Sequence, residues 1–102
     1  MAAPGGQFAF STPIGPVNST VTTGGTAVVV FAAGTIPHVA DIINPATASS
    51  ILYVDIVTTA LAGQATSIPL AAGQSYRVSQ PINTAVTAVA SDSGHAFVAV
   101  AY

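Results

Sequence analysis

The sequence predicts an all-β, single-domain fold: an antiparallel β-sandwich or jelly-roll-like domain with an extended N-terminal arm. Three observations carry this. The 102 residues make one domain's worth of chain. From Val17 onward, Val, Ile and Thr dominate short segments that are divided by Gly, Pro, Asn and Asp at spacings near those of sandwiches and barrels. No window carries the 3.6-residue period of an amphipathic helix, and the abundant alanines alternate with Val and Thr.

Taken in order, residues 1–16 form the arm, and residues 17–102 form the sandwich domain. Pro4, Gly5, Gly6, Pro13, Gly15 and Pro16 bar regular structure from the arm. It nevertheless holds Phe8 and Phe10, and aromatic residues are rare in segments that stay unfolded. The arm is therefore expected to dock, either over the domain's own core or on a neighbouring subunit.

Val17–Thr23 alternates, and Gly24-Gly25 reads as a two-residue hairpin. Val28-Val29-Val30-Phe31 suits a strand buried on both faces. A third strand, His38–Ile43, ends at Asn44-Pro45. Ile51–Thr59 is the strongest strand, apolar on both faces apart from Asp55. If one of those faces meets the core, the other needs a third layer, and a partner subunit is the natural candidate. Ser67-Ile68-Pro69-Leu70 reads as a short edge strand, because proline cannot donate to a central ladder. Ala71-Ala72-Gly73-Gln74 is a turn, and Ser75–Ser79 resumes a strand before Pro81 and Asn83. Thr84–Ala90, the turn Asp92-Ser93-Gly94 and a last strand, His95–Tyr102, complete the chain.

Charge is scarce. Only 4% of residues are charged: one cation, Arg77, and three acids, Asp41, Asp55 and Asp92. Hydrophobic residues make up 51% of the chain, and mean hydropathy is +0.70. A free-standing surface usually carries about 25–35% charged residues. Either a neutral polar surface of Ser, Thr, Asn, Gln, Gly and Ala suffices here, or much of the surface is covered by partner subunits; the second is the favoured expectation, because large exposed apolar patches mark interfaces. A single arginine cannot neutralise a nucleic-acid backbone or anchor the chain to anionic lipid. The longest apolar run, Ala27–Ala33, is too short to span a membrane. Neither a nucleic-acid nor a membrane partner is expected. There is no cysteine, which excludes disulfides and thiolate metal sites. The opening residues lack the pattern of a secretory signal, so Asn18-Ser19-Thr20 reads as a chance glycosylation match.

Few residues could carry chemistry, and no enzyme activity and no cofactor are expected. Asp92, Ser93 and His95 have the residue types of a catalytic triad but crowd into one turn, whereas a triad converges from separate elements. His38, Asp41 and His95 could hold a metal if they met, but His38 and Asp41 lie three apart, on opposite faces of a strand. Asp55 sits among apolar neighbours, and a buried carboxylate needs a partner. Arg77 is the one cation on offer, so an Asp55–Arg77 pair, within the domain or across a subunit boundary, is the favoured expectation, the alternative being that the Asp55 face is locally solvated. With Phe8, Phe10, Tyr53 and Tyr102, these two residues form the expected subunit-contact set.

The stretch Ile42-Ile43-Asn44-Pro45, then Leu52-Tyr53-Val54, then Ile68-Pro69-Leu70-Ala71-Ala72-Gly73-Gln74-Ser75-Tyr76 resembles small structural proteins of tailed bacteriophages. Ala72 stands where those sequences have Pro. The resemblance covers about residues 38–102 and implies a virion component without an active site. Its first form is a capsid decoration or cement protein, assembled in the host cytoplasm onto the capsid surface. There it would contact the major capsid protein as a homo-oligomer, a trimer being the form such proteins commonly take. The other form is a fibre- or tail-associated module that binds a receptor or carbohydrate, with Tyr53, Tyr76 and Tyr102 as the only tyrosines available for sugar stacking.

Overall fold

The computed structural model describes residues 13–79 and 82–102; Phe8 and Phe10, and the expected docking of the arm through them, lie outside the described residues. The described chain is all-β, with nine strands: β1 (Thr20–Val21), β2 (Val28–Phe31), β3 (Ala40–Ile43), β4 (Leu52–Asp55), β5 (Ile68–Leu70), β6 (Ser75–Val78), β7 (Val86–Val89), β8 (His95–Ala96) and β9 (Val98–Ala101). They form a four-stranded antiparallel sheet in the order β2-β7-β4-β5, a three-stranded antiparallel sheet in the order β6-β3-β9, and a short ribbon of β1 with β8.

Alternation places the core between the two larger sheets. On β3, Ala40 and Ile42 are fully buried, and across the ladder they face Val78 with Ala101 and Tyr76 with Ala99. The four-stranded sheet answers with Leu52, Val54, Leu70, Val86 and Ala88. β7 is central in its sheet, and all four of its residues are buried. The expected single last strand, His95–Tyr102, is broken at Phe97 into β8, which pairs with β1, and β9, which pairs with β3, although its faces alternate as expected, with Phe97, Ala99 and Ala101 inward and Val98 exposed. β5 is the edge strand that Pro69 implied.

Other local expectations change as well. The Val28–Phe31 run is an edge strand, with Val29 38% exposed and an irregularity in the β2–β7 register between Val29 and Phe31. Gly24-Gly25 forms a turn closed by Thr26 N–H on the Thr23 carbonyl at 3.0 Å, but β1 pairs with β8 rather than with β2. A Cβ on Gly24 would sit 2.2 Å from the Ser91 carbonyl oxygen, so close backbone approach explains the glycine. Finally, the strand beginning near Ile51 stops at Asp55. The Asp55 carboxylate accepts the N–H groups of Val57 and Thr58 at 2.7 and 2.8 Å, which turns the chain out of the ladder.

The segment ahead of β1 joins both sheets. Ile14 and Ala101 exchange backbone hydrogen bonds of 2.7 and 2.9 Å, and Val17 N–H reaches the Val30 carbonyl at 2.8 Å. Asn18 adds a side-chain bond to the Val29 carbonyl at 2.9 Å. Residues 14–18 thereby occupy the edges of β9 and β2 and close one side of the sandwich.

Candidate functional site

The outer face of the four-stranded sheet divides into two halves. In the first, Asp55 and its cross-strand neighbour Thr87 are buried although they point away from the core. The cover is the chain's own connection from β4 to β5, residues 56–67. Besides the two backbone bonds, Asp55 accepts Gln64 Nε2 at 2.9 Å, Thr66 Oγ1 at 2.7 Å and Ser67 Oγ at 2.9 Å. Ala60 N–H donates to Thr87 Oγ1 at 2.9 Å, and Thr87 donates onward to the Thr58 carbonyl at 3.1 Å. Burial alone would raise the Asp55 pKa. The Thr58 N–H, the Thr66 hydroxyl, the Val57 N–H and the Ser67 hydroxyl outweigh it and hold the carboxyl well below the usual range. Asp55 is thus an ionised anchor for a loop, and part of the third layer expected from a partner comes from the same chain.

The second half is open. Ile51, Tyr53 and Val89 line an apolar depression of about 300 Å³ together with Leu61 and Ala62 of the connection and Gly25 and Ser91 of the turns. Ile51 is 41% and Leu61 56% exposed. Val57, on the same connection as Leu61, is exposed as well.

Asp55 does not pair with Arg77. Register sets Asp41 opposite Arg77 on the outer face of the three-stranded sheet. Arg77 holds Asp41 in a two-point contact, Nε to Oδ1 at 2.7 Å and an Nη2 to Oδ2 at 2.9 Å. The Tyr102 hydroxyl donates to Asp41 Oδ2 at 2.6 Å and accepts from Arg77 at 3.0 Å. The Arg77 hydrogen bond lowers the Asp41 pKa, and the Asp41 hydrogen bond raises that of Tyr102. The expected contact set is therefore split: Tyr53 and Asp55 belong to one outer face, and Arg77 and Tyr102 to the other.

A polar cluster, with Asn44 and His95 buried and Ser49 and Asp92 nearer solvent, spans the end of the sandwich. Asn44, fully buried at the end of β3, donates its amide to the carbonyls of Ser50 at 3.1 Å and Leu70 at 2.9 Å. Its side-chain oxygen receives His95 Nε2 at 2.8 Å. His95 Nδ1 lies 2.9 Å from Asp92 Oδ1 and 3.1 Å from Ser50 Oγ. Ser50 and Ser49 donate to the two Asp92 oxygens. The Ser50 hydroxyl comes first among the groups that lower the Asp92 pKa, to about 2, with His95 next. Ser93 is elsewhere, accepting Gly24 N–H at 2.9 Å. A serine, a histidine and an aspartate do meet here, but Ser50 and Asp92 share one ring nitrogen. In a nucleophile relay the serine and the carboxylate take opposite nitrogens, and Nε2 is committed to Asn44. The geometry ties β3, the 44–50 loop and β8 together. His38 is exposed and distant in role, and no group of three potential metal ligands forms among the described residues.

Ser50 and Asn44 could not be read as members of the cluster, because they lie 45 and 51 positions from His95. Leu61 was hidden in a segment too weakly patterned to read. No family model matches the chain, and no curated protein or solved structure matches it.

Proposed function

We propose that the protein is a non-enzymatic structural subunit that works by packing apolar surface against other protein subunits. The carrying observation is the open Ile51–Tyr53–Leu61 depression in a chain whose four charged side chains are all engaged internally: Asp41 with Arg77, Asp55 with its loop, and Asp92 with Ser49, Ser50 and His95. Such a molecule offers a partner few free charges to desolvate and an apolar sheet face to bury.

The specific form favoured is a capsid decoration protein, bound as a homo-oligomer to the shell of a tailed-phage head. Its support is the resemblance of residues 38–102 to small phage structural proteins, together with this surface chemistry. Many weak symmetric contacts would then add up to shell stability by multivalency. The fibre or carbohydrate-binding form has less behind it. Tyr102 is tied to Asp41 and Arg77, and Tyr76 packs against the core, which leaves Tyr53 for stacking in a depression lined mainly by apolar groups.

Quantitative mass spectrometry of purified phage particles from lysates containing the chain tests this form. A copy number comparable to the major shell protein supports decoration. A few copies per particle move the protein to a tail or fibre, and absence from particles removes the virion form.

A further inference from the structure

We propose that the Ile51–Tyr53–Leu61 depression is the seat for the Phe8–Phe10 segment of a second copy of this chain. The inference rests on the reading that the protein works by subunit packing, and it names the occupant of one surface.

Composition makes the segment a match for the site. Residues 1–12 hold no charged side chain and two of the four phenylalanines of the chain. The other two, Phe31 and Phe97, are 2% and 4% exposed, as large aromatic groups in a small domain usually are. In extended chain Phe8 and Phe10, two apart, point to the same side and can enter one depression together. The depression is apolar, lies on a sheet face, and has no charged side chain in its lining.

Strand direction at Ile14 favours a neighbour's depression over the chain's own. Ile14 pairs antiparallel with Ala101, near the end of β9. At Pro13 and Ile14 the backbone direction therefore points past Tyr102, away from Val98. Val98 pairs with Ile43, and the next residue, Asn44, bonds Leu70 and His95. Val98 is thus at the same end of the sandwich as the start of β4 and the end of β7, where Tyr53 faces Val89. The depression opens at that end and on the opposite sheet. Phe8 is six residues from Ile14, a reach of about 20 Å at most. To enter its own depression the arm would have to reverse, run the length of the strands and round a sheet edge. Seating in a neighbouring copy needs no such reversal, and exchange between identical copies is a low-cost route to a closed oligomer.

The chain lacks cysteine, so engineered cysteines report contact without background. Two differently tagged full-length chains, one carrying Phe10→Cys and the other Leu61→Cys, are mixed and oxidised. A Val98→Cys chain serves as the control, since Val98 is exposed on the other sheet. The expected result is a disulfide between the two tags, about tenfold more abundant than with the control, because a docked arm has a high effective concentration. A chain carrying both Phe10→Cys and Leu61→Cys should likewise cross-link mainly as dimers or larger species. Mainly intrachain bonds would overturn the exchange while leaving the packing function standing. Cross-linking no better than with Val98→Cys would also overturn it and leave the depression to a different protein, whatever the particle copy number shows.

Discussion

Asn44 and His95, 51 positions apart, meet inside the sandwich with His95 Nε2 2.8 Å from Asn44 Oδ1. Asn44 also holds the Leu70 carbonyl at the end of β5. One side chain therefore joins the three-stranded sheet, the four-stranded sheet and the β1–β8 ribbon. Asn44→Ala would leave a buried ring N–H and a buried carbonyl without partners, each costing about 1–3 kcal/mol. Asn44→Asp would keep the acceptor for His95 but lose the donor to Leu70. Urea denaturation should rank wild type above Asn44→Asp and Asn44→Ala; equal midpoints would show that the clamp contributes nothing.

Asp55 should make the protein acid-sensitive. Its folded pKa is depressed, so its contribution is complete above the unfolded value of about 3.9 and is lost as pH falls below it. Asp41 and Asp92 act in the same direction. Stability should be flat from neutral pH to about pH 5 and fall steeply below pH 4. Asp55→Asn should flatten that fall and lower stability at neutral pH by about 3 kcal/mol, because buried donors would face an amide that repels some of them. The check is thermal or urea unfolding across pH for both proteins; parallel curves would argue against the loop-anchor role.

The Asp41–Arg77–Tyr102 cluster makes an alkaline prediction. Asp41 raises the Tyr102 pKa, so this stabilisation is present below the unfolded tyrosine value of about 10 and is lost as pH rises through the folded one. Ultraviolet titration should show a tyrosine that ionises late, and Asp41→Asn should bring it back toward the ordinary range. Arg77→Ala should change stability little, since Arg77 is an exposed partner screened by water.

Gly24→Ala should be among the more damaging surface-turn changes. Its Cβ would meet the Ser91 backbone carbonyl oxygen at 2.2 Å, a neighbour that cannot swing away as a flexible side chain could. Forced overpacking of this kind costs about 1–3 kcal/mol. Gly25→Ala meets no atom within 4 Å and is strained only by the local φ of 79°. A smaller loss at Gly24 than at Gly25 on thermal unfolding would contradict the close-approach account.

Much of the sandwich was legible because its signals are local. Pro69 marked β5 as an edge. Ala71-Ala72-Gly73-Gln74 marked a turn that Gln74 N–H closes on the Ala71 carbonyl at 2.9 Å, with Gly73 at φ 84°. Alternation from Phe97 to Ala101 gave the buried face of β9. What stayed illegible depends on register and distance. Arg77 finds Asp41 because β3 and β6 align residue 41 with 77, and nothing near either residue encodes that alignment. Asp55 is satisfied by neutral donors two to twelve positions downstream rather than by the one cation of the chain. Those donors (Thr58, Gln64, Thr66 and Ser67) were in plain view, and an aspartate followed by such residues is a loop-anchoring signal. The Ile51–Leu61 depression arises only once that loop folds back over β4.

Sedimentation equilibrium of the full chain and its Leu61→Arg variant, over a range of concentrations, tests the central claim of apolar subunit packing most directly. Leu61 is 56% exposed, so the substitution spares the fold, which circular dichroism can verify. The account predicts wild-type species larger than the 10.0 kDa monomer and a shift of Leu61→Arg toward monomer. Monomers at every concentration for both proteins, or an unchanged oligomer in the variant, would contradict it.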